Sequence, residues 1–174
     1  MKKRWSLVAL MFLAGLVAAS LALSPSTALA KEFKYAGPPA FTVTYPGIWT
    51  QDSENPNKVL FRTKQEGSLP IMEIALRENL PAGTTLANIA QEYKGRLEKS
   101  QQTQATITSD KQATLKDGTP CNEAVLTWVY QGFLNLQTNI LSVLTKDGKW
   151  VYVSISQSPG EPNWGPGRSL TFKK

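Results

Sequence analysis

A period-two hydrophobic pattern sets in after Gln102 and holds to Ile155, broken at Asp117-Gly118, Gly132 and Asp147-Gly148. Alternation of this kind marks half-buried strands, and Asp-Gly pairs between such runs mark tight hairpins. The pattern predicts strands over Ala105 to Leu115, Glu123 to Tyr130, Leu134 to Thr145 and Trp150 to Ile155, joined as an antiparallel meander. Two of them carry apolar groups in a way that fixes their environment. Ala124, Leu126, Trp128 and Tyr130 share one face of theirs. Val151, Val153 and Ile155 face one way while Trp150 and Tyr152 face the other. A strand that is apolar on both sides belongs to a sheet covered on both sides.

The preceding segment has a similar start. Phe41 to Tyr45 alternates and is closed by Pro46-Gly47, with Ile48-Trp49 after the turn. Lys31 to Ala40 reads as a polar lead-in and Gln51 to Asn57 as a polar loop, followed by a strand over Val59 to Thr63. In Ile71 to Arg77, Met72, Ile74 and Leu76 oppose Glu73 and Arg77. The period then changes to 3.6. Leu86, Ile89, Ala90, Tyr93 and Leu97 form one stripe of an amphipathic helix, with Thr84 or Thr85 as its N-cap and Glu92 and Arg96 as an i,i+4 pair. From Pro159 to Gly167 the chain is too rich in Pro and Gly for a helix or a central strand, and Ser169 to Phe172 closes it.

Residues 1–30 read as a secretory leader. Lys2, Lys3 and Arg4 precede an apolar run from Leu7 to Ala19, and Ala28-Leu29-Ala30 supplies a small-residue cleavage site after Ala30. The rival is an uncleaved anchor, since the apolar region approaches the roughly 20 residues of a spanning helix, but Pro25 and the Ala-x-Ala favour cleavage. The expectation is therefore one domain over residues 31–174, periplasmic or extracellular, with no membrane span after cleavage. Its 16 basic and 13 acidic residues give a net charge of only +3. These cations are scattered rather than gathered in a stripe, which argues against nucleic acid as a partner.

The absence of His and the presence of one Cys exclude His-based catalysis, His-ligated metals, an internal disulfide and Cys-rich zinc sites. No Asp-x-Asp-x-Asp-Gly loop, Gly-x-Ser-x-Gly elbow or phosphate-cradling glycine loop occurs. No enzyme activity, metal or cofactor is expected. Asp117 and Asp147 are explained by their turns, and Cys121 by packing at a strand start.

The order of these pieces resembles the PsbP/Mog-like superfamily, in particular its bacterial secreted DcrB-like branch. The residues that carry the resemblance are Phe41 to Tyr45 with Pro46 and Trp49, Asp117-Gly118-Thr119, Trp128, Asp147-Gly148-Lys149 with Val151 to Val153, and Ser169-Leu170. The resemblance implies an α+β fold, an antiparallel β-sheet flanked by helix in an α/β/α sandwich, and an accessory role among protein complexes. Family members carry a second helix before the Ser-Leu ending. Here that helix is missing or shortened to a turn near Asn163 to Gly165, which would leave one sheet face less covered.

That face supplies the candidate site. Trp164 either folds back over the sheet as a lid or projects as an anchor, and Trp150, Tyr152 and Phe133 are placed with it on the less covered face. The function read from this is a secreted or periplasmic, non-enzymatic accessory or protein-interaction module of unknown partner. The alternative is a periplasmic carrier of a small apolar ligand or lipid. A closed pocket of about 300 Å³ or more favours the carrier, and a flat aromatic patch favours a protein.

Overall fold

A computed structural model of the chain describes residues 29–55, 58–63 and 69–173. Except for Leu29 and Ala30, the leader lies outside the described residues. Among the described residues two antiparallel sheets form. The small one has the order β1-β2-β10, from β1 (Lys31–Tyr35), β2 (Phe41–Tyr45) and β10 (Thr171–Phe172). The large one comprises β3 (Trp49–Asn55), β4 (Lys58–Thr63), β5 (Ile71–Arg77), β6 (Ala105–Thr114), β7 (Pro120–Tyr130), β8 (Leu134–Leu144) and β9 (Trp150–Gln157). Its order is β3-β4-β5-β9-β8-β7-β6.

The meander predicted over Ala105 to Ile155 forms as β6 to β9, whereas Phe41–Tyr45 pairs in the small sheet and not with the strands at Lys58–Thr63 and Ile71–Arg77. β3 to β5 zigzag, helix α1 (Ile89–Gln101) carries the chain across one face to the far edge, and β6 to β9 zigzag back until β9 pairs with β5. In that closing register Arg77 lies opposite Trp150, Glu73 opposite Ser154 and Ile71 opposite Ser156. Side chains alternate across the sheet, so β5, β7, β8 and β9 each serve two cores. On the first face Met72, Ile74, Leu141, Val151, Val153 and Ile155 pack under Phe33, Phe41, Val43 and Leu170 of the small sheet and the C-terminal segment. On the second, Ala124, Leu126, Trp128, Ile140, Trp150 and Tyr152 pack under Ile89, Ala90, Tyr93 and Leu97 of α1.

The fold is α+β, with the antiparallel sheet flanked by a helix as expected. The second helix is reduced to α2 (Gly165–Arg168), one turn long, and the small sheet takes over the cover on that face. Three local expectations need correction. The lead-in contains β1, because Phe33 is buried and Tyr35 stacks on Phe41 at 5.1 Å, an alternation hidden among charged residues. The polar loop is mostly β3, which pairs with β4 along its length despite its polar sequence. Helix α1 begins at Ile89, with Asn88 rather than Thr84 or Thr85 at its N-cap position. Thr84 and Asn88 are engaged earlier, where the Thr84 hydroxyl donates to the Pro81 carbonyl at 2.7 Å and Asn88 Oδ1 accepts from the Thr85 amide at 2.8 Å. Those bonds shape a turn ahead of the helix.

Candidate functional site

A helix is about 10–12 Å across and sheet strands lie about 4.8 Å apart, so α1 can roof only two or three strands of the large sheet. It lies over β6 and β7 and reaches β9 through Tyr93. Beside it the second face opens into a groove of about 890 Å³. Its floor is built by alternate residues of β5, β9 and β8, namely Ile71, Glu73 and Arg77, then Tyr152, Ser154 and Ser156, then Leu136. Its wall on the helix side carries Tyr93, Arg96 and Leu97, and at one end Trp128, Tyr130 and Leu134 close it.

The floor is organised by polar contacts. The Tyr152 hydroxyl donates to the Glu73 carboxylate, with the Arg77 guanidinium beside both. Trp128 Nε1 donates to Thr138 Oγ1 at 2.9 Å, and Thr138 in turn shares a 2.8 Å hydrogen bond with Ser156. Burial, reinforced by the charge of Glu73, pushes the phenols of Tyr93 and Tyr152 well above the usual tyrosine range. Both stay neutral at any physiological pH, which suits them to hydrogen bonding and unsuits them to acting as bases. Arg77 Nε is buried without a partner.

The four residues singled out from sequence are distributed over different parts of the molecule. Tyr152 stands in the groove floor. Trp150 is fully buried beneath α1, its ring 4.7 Å from that of Tyr152 and 6.3 Å from that of Tyr93, with the Arg96 guanidinium 5.9 Å away. Phe133 is 76% exposed at the apex of the β7–β8 hairpin, next to Tyr130 and Leu134 of the groove. Trp164 lies on the first face, half-buried against the core there, with the Arg168 guanidinium 5.9 Å from its ring. The expectation that Trp164 rims the face of Trp150 and Tyr152 is therefore corrected. β10 pairs with β2, so the C-terminal segment returns under the opposite side of the sheet. The less covered face is the helix face. Glu73, Arg77, Tyr93 and Ser154 were not anticipated, although the continued alternation Trp150, Tyr152, Ser154, Ser156 placed the serines on that face.

Among the described residues no group of three His, Cys, Asp or Glu side chains could hold a metal ion, and no helix is long and apolar enough to cross a membrane. Cys121 is buried on the first face, and burial followed by the charge of Glu123 pushes its thiol up to about 11. At pH 8 only about a thousandth of it is thiolate. The folded protein is expected to resist iodoacetamide at that pH, with rapid labelling after denaturation. Comparable labelling rates in the two states would show that the thiol is accessible.

The fold, an antiparallel sheet half-roofed by one helix, is similar to those of PsbP and Mog1. Cyanobacterial PsbP (CyanoP) of Synechocystis superposes with a TM-score of 0.61 at 14% identity, over 88% of this chain and 99% of that one. The Ran-binding protein Mog1p of Saccharomyces cerevisiae gives 0.55 at 12% identity, over 76% and 78%. A protein of Bacteroides thetaiotaomicron gives 0.53 at 14% identity, over 83% of this chain and 48% of that one. No family model and no curated protein matches the chain by sequence.

Proposed function

We propose that the chain is a secreted, non-enzymatic accessory module of the DcrB-like branch, released by cleavage after Ala30 as a single domain over residues 31–174, and that it binds a protein partner through the β7–β8 hairpin. The observation that carries this reading is the hairpin apex. Phe133 is exposed at the apex with Tyr130 and Leu134 part-exposed beside it at the groove, and clustered exposed apolar groups mark interaction surfaces more often than scattered ones do. The turn presenting them is tight, with Gln131 and Gly132 both at positive φ, 50° and 79°. A neighbour in fold described as a Ran-binding protein is consistent with this reading.

Phe133→Ser tests the reading. The substitution removes an exposed side chain and is expected to change stability by less than about 0.5 kcal/mol. If Phe133 anchors the contact, losing it costs about 2 kcal/mol, roughly thirtyfold in affinity for a partner captured from envelope extract. Undiminished capture by Phe133→Ser, and by Tyr130→Ser beside it, would remove the hairpin from the function.

A second reading, a carrier of a small apolar ligand, draws support from the size of the groove, although the groove is open to one side where this reading expects a closed pocket. Its volume of about 890 Å³ lies in the range of small-molecule sites, and its lining mixes aromatic and aliphatic walls with a few convergent polar groups. A ligand retained by the purified protein in native mass spectrometry would favour it.

A further inference from the structure

The groove has a direction. On β5 its lining runs from Arg77 through Glu73 to Ile71, and the register sets these beside Trp150, Ser154 and Ser156 of β9 in turn. Along β5 the floor runs from Ile71 to Arg77, roughly 20 Å at the rise of a strand, and Leu69 of the preceding loop adds to the Ile71 end. At the Arg77 end lie the polar groups of Tyr152, Tyr93 and Arg96. At the other end Leu69, Ile71, Leu97, Trp128, Leu134 and Leu136 present apolar surface.

The lining also has a sign. Among the described lining residues Arg77 and Arg96 stand at the polar end with the carboxylate of Glu73, Lys99 lies at the Trp128 end with the last turn of α1, and the Glu92 that bonds Arg96 at 2.7 Å is not part of the lining. The Arg77 guanidinium stands beside Tyr152 and Glu73, and its buried Nε–H makes no hydrogen bond. A buried donor of this kind gains most from a charged acceptor.

We infer that the groove holds a single-chain anionic amphiphile, an unbranched hydrocarbon chain ending in a carboxylate, with the carboxylate at Arg77 and Arg96 and the chain along Leu97, Trp128 and Leu136. The inference rests on the carrier reading and specifies its ligand class. The length of the groove suits an extended chain, the polarity along it sets the orientation, and the excess of cations selects the head group.

The test is calorimetric titration of the protein purified from cells expressing the full chain, with decanoate, decan-1-ol and decylammonium, each below its aggregation concentration. Decanoate is expected to bind about tenfold tighter than decylammonium. Arg77→Gln is expected to abolish that preference while leaving decan-1-ol unchanged, and Leu134→Ser to weaken all three. The unaltered protein alone decides the head group, so a poorly folding Arg77 variant does not rescue the inference. Decylammonium or decan-1-ol binding as tightly as decanoate would overturn the anionic assignment and leave the carrier reading standing. Binding of none of the three would overturn both, and would leave the groove to a protein partner.

Discussion

Ending the chain after Glu161 is expected to abolish cooperative folding, although the missing piece holds only α2, β10 and the irregular residues around them. Leu170 is almost fully buried, and Trp164 and Phe172 pack against the core of the first face. At about 1.5–3 kcal/mol for each large side chain fully withdrawn from water, their loss removes several kcal/mol from a total that for domains of this size is about 5–15 kcal/mol. Polar ties go with them. Arg168 donates to both carboxylate oxygens of Glu123, at 2.6 and 2.8 Å, and Glu123 is buried. Ser169 Oγ accepts from the Thr44 amide at 2.8 Å, and the Lys173 amide donates to the Ala40 carbonyl at 3.0 Å. Without this segment a carboxylate is stranded and the small sheet loses its third strand. A truncated protein that stays soluble and melts in one transition within a few degrees of the full chain would show that the small sheet covers the first face unaided.

That segment is also where sequence was least informative, for a physical reason. Local pattern reports which residues share a face, not which layer covers it. The parity of Trp150 and Tyr152 against Val151 and Val153 was legible and correct. The side to which Trp164 returns depends on β10 meeting β2, a pairing between residues some 130 positions apart. Turns were legible where the backbone demands particular residues. Gly118 and Gly148 adopt φ of 86° and 76°, conformations that cost most residues a Cβ clash, so the Asp-Gly pairs announced their hairpins. The strands that escaped notice, β1 and β3, are polar edge strands whose pairing partners make them strands. Half of the candidate site was visible, through Tyr152 and the exposed Phe133. Glu73 and Arg77 read as an ordinary wet face of β5, because nothing local says that β9 will bring Tyr152 to them or that α1 will stop short of covering them.

Trp150→Ala is the side-chain substitution with the largest expected effect, about 3–5 kcal/mol of stability, or roughly 10–20 °C in melting temperature. The indole is fully buried, and three groups of different origin rest on it, Tyr93 and Arg96 from α1 and Tyr152 from its own strand. Removing it takes away one of the two ring contacts by which Tyr93 reaches past β6 and β7 to β9, so the cavity left behind lies under the wall of the groove. The conservative change discriminates between packing and hydrogen bonding. Trp150 Nε1 is buried with no partner, so Trp150→Phe gives up volume but also removes an unsatisfied donor, and its cost is expected to be well under half that of alanine. Thermal melts of the two variants measure the difference. If phenylalanine proved as damaging as alanine, the nitrogen would have to be engaged, and the space around Trp150 would be wetter than a packed core between helix and sheet allows.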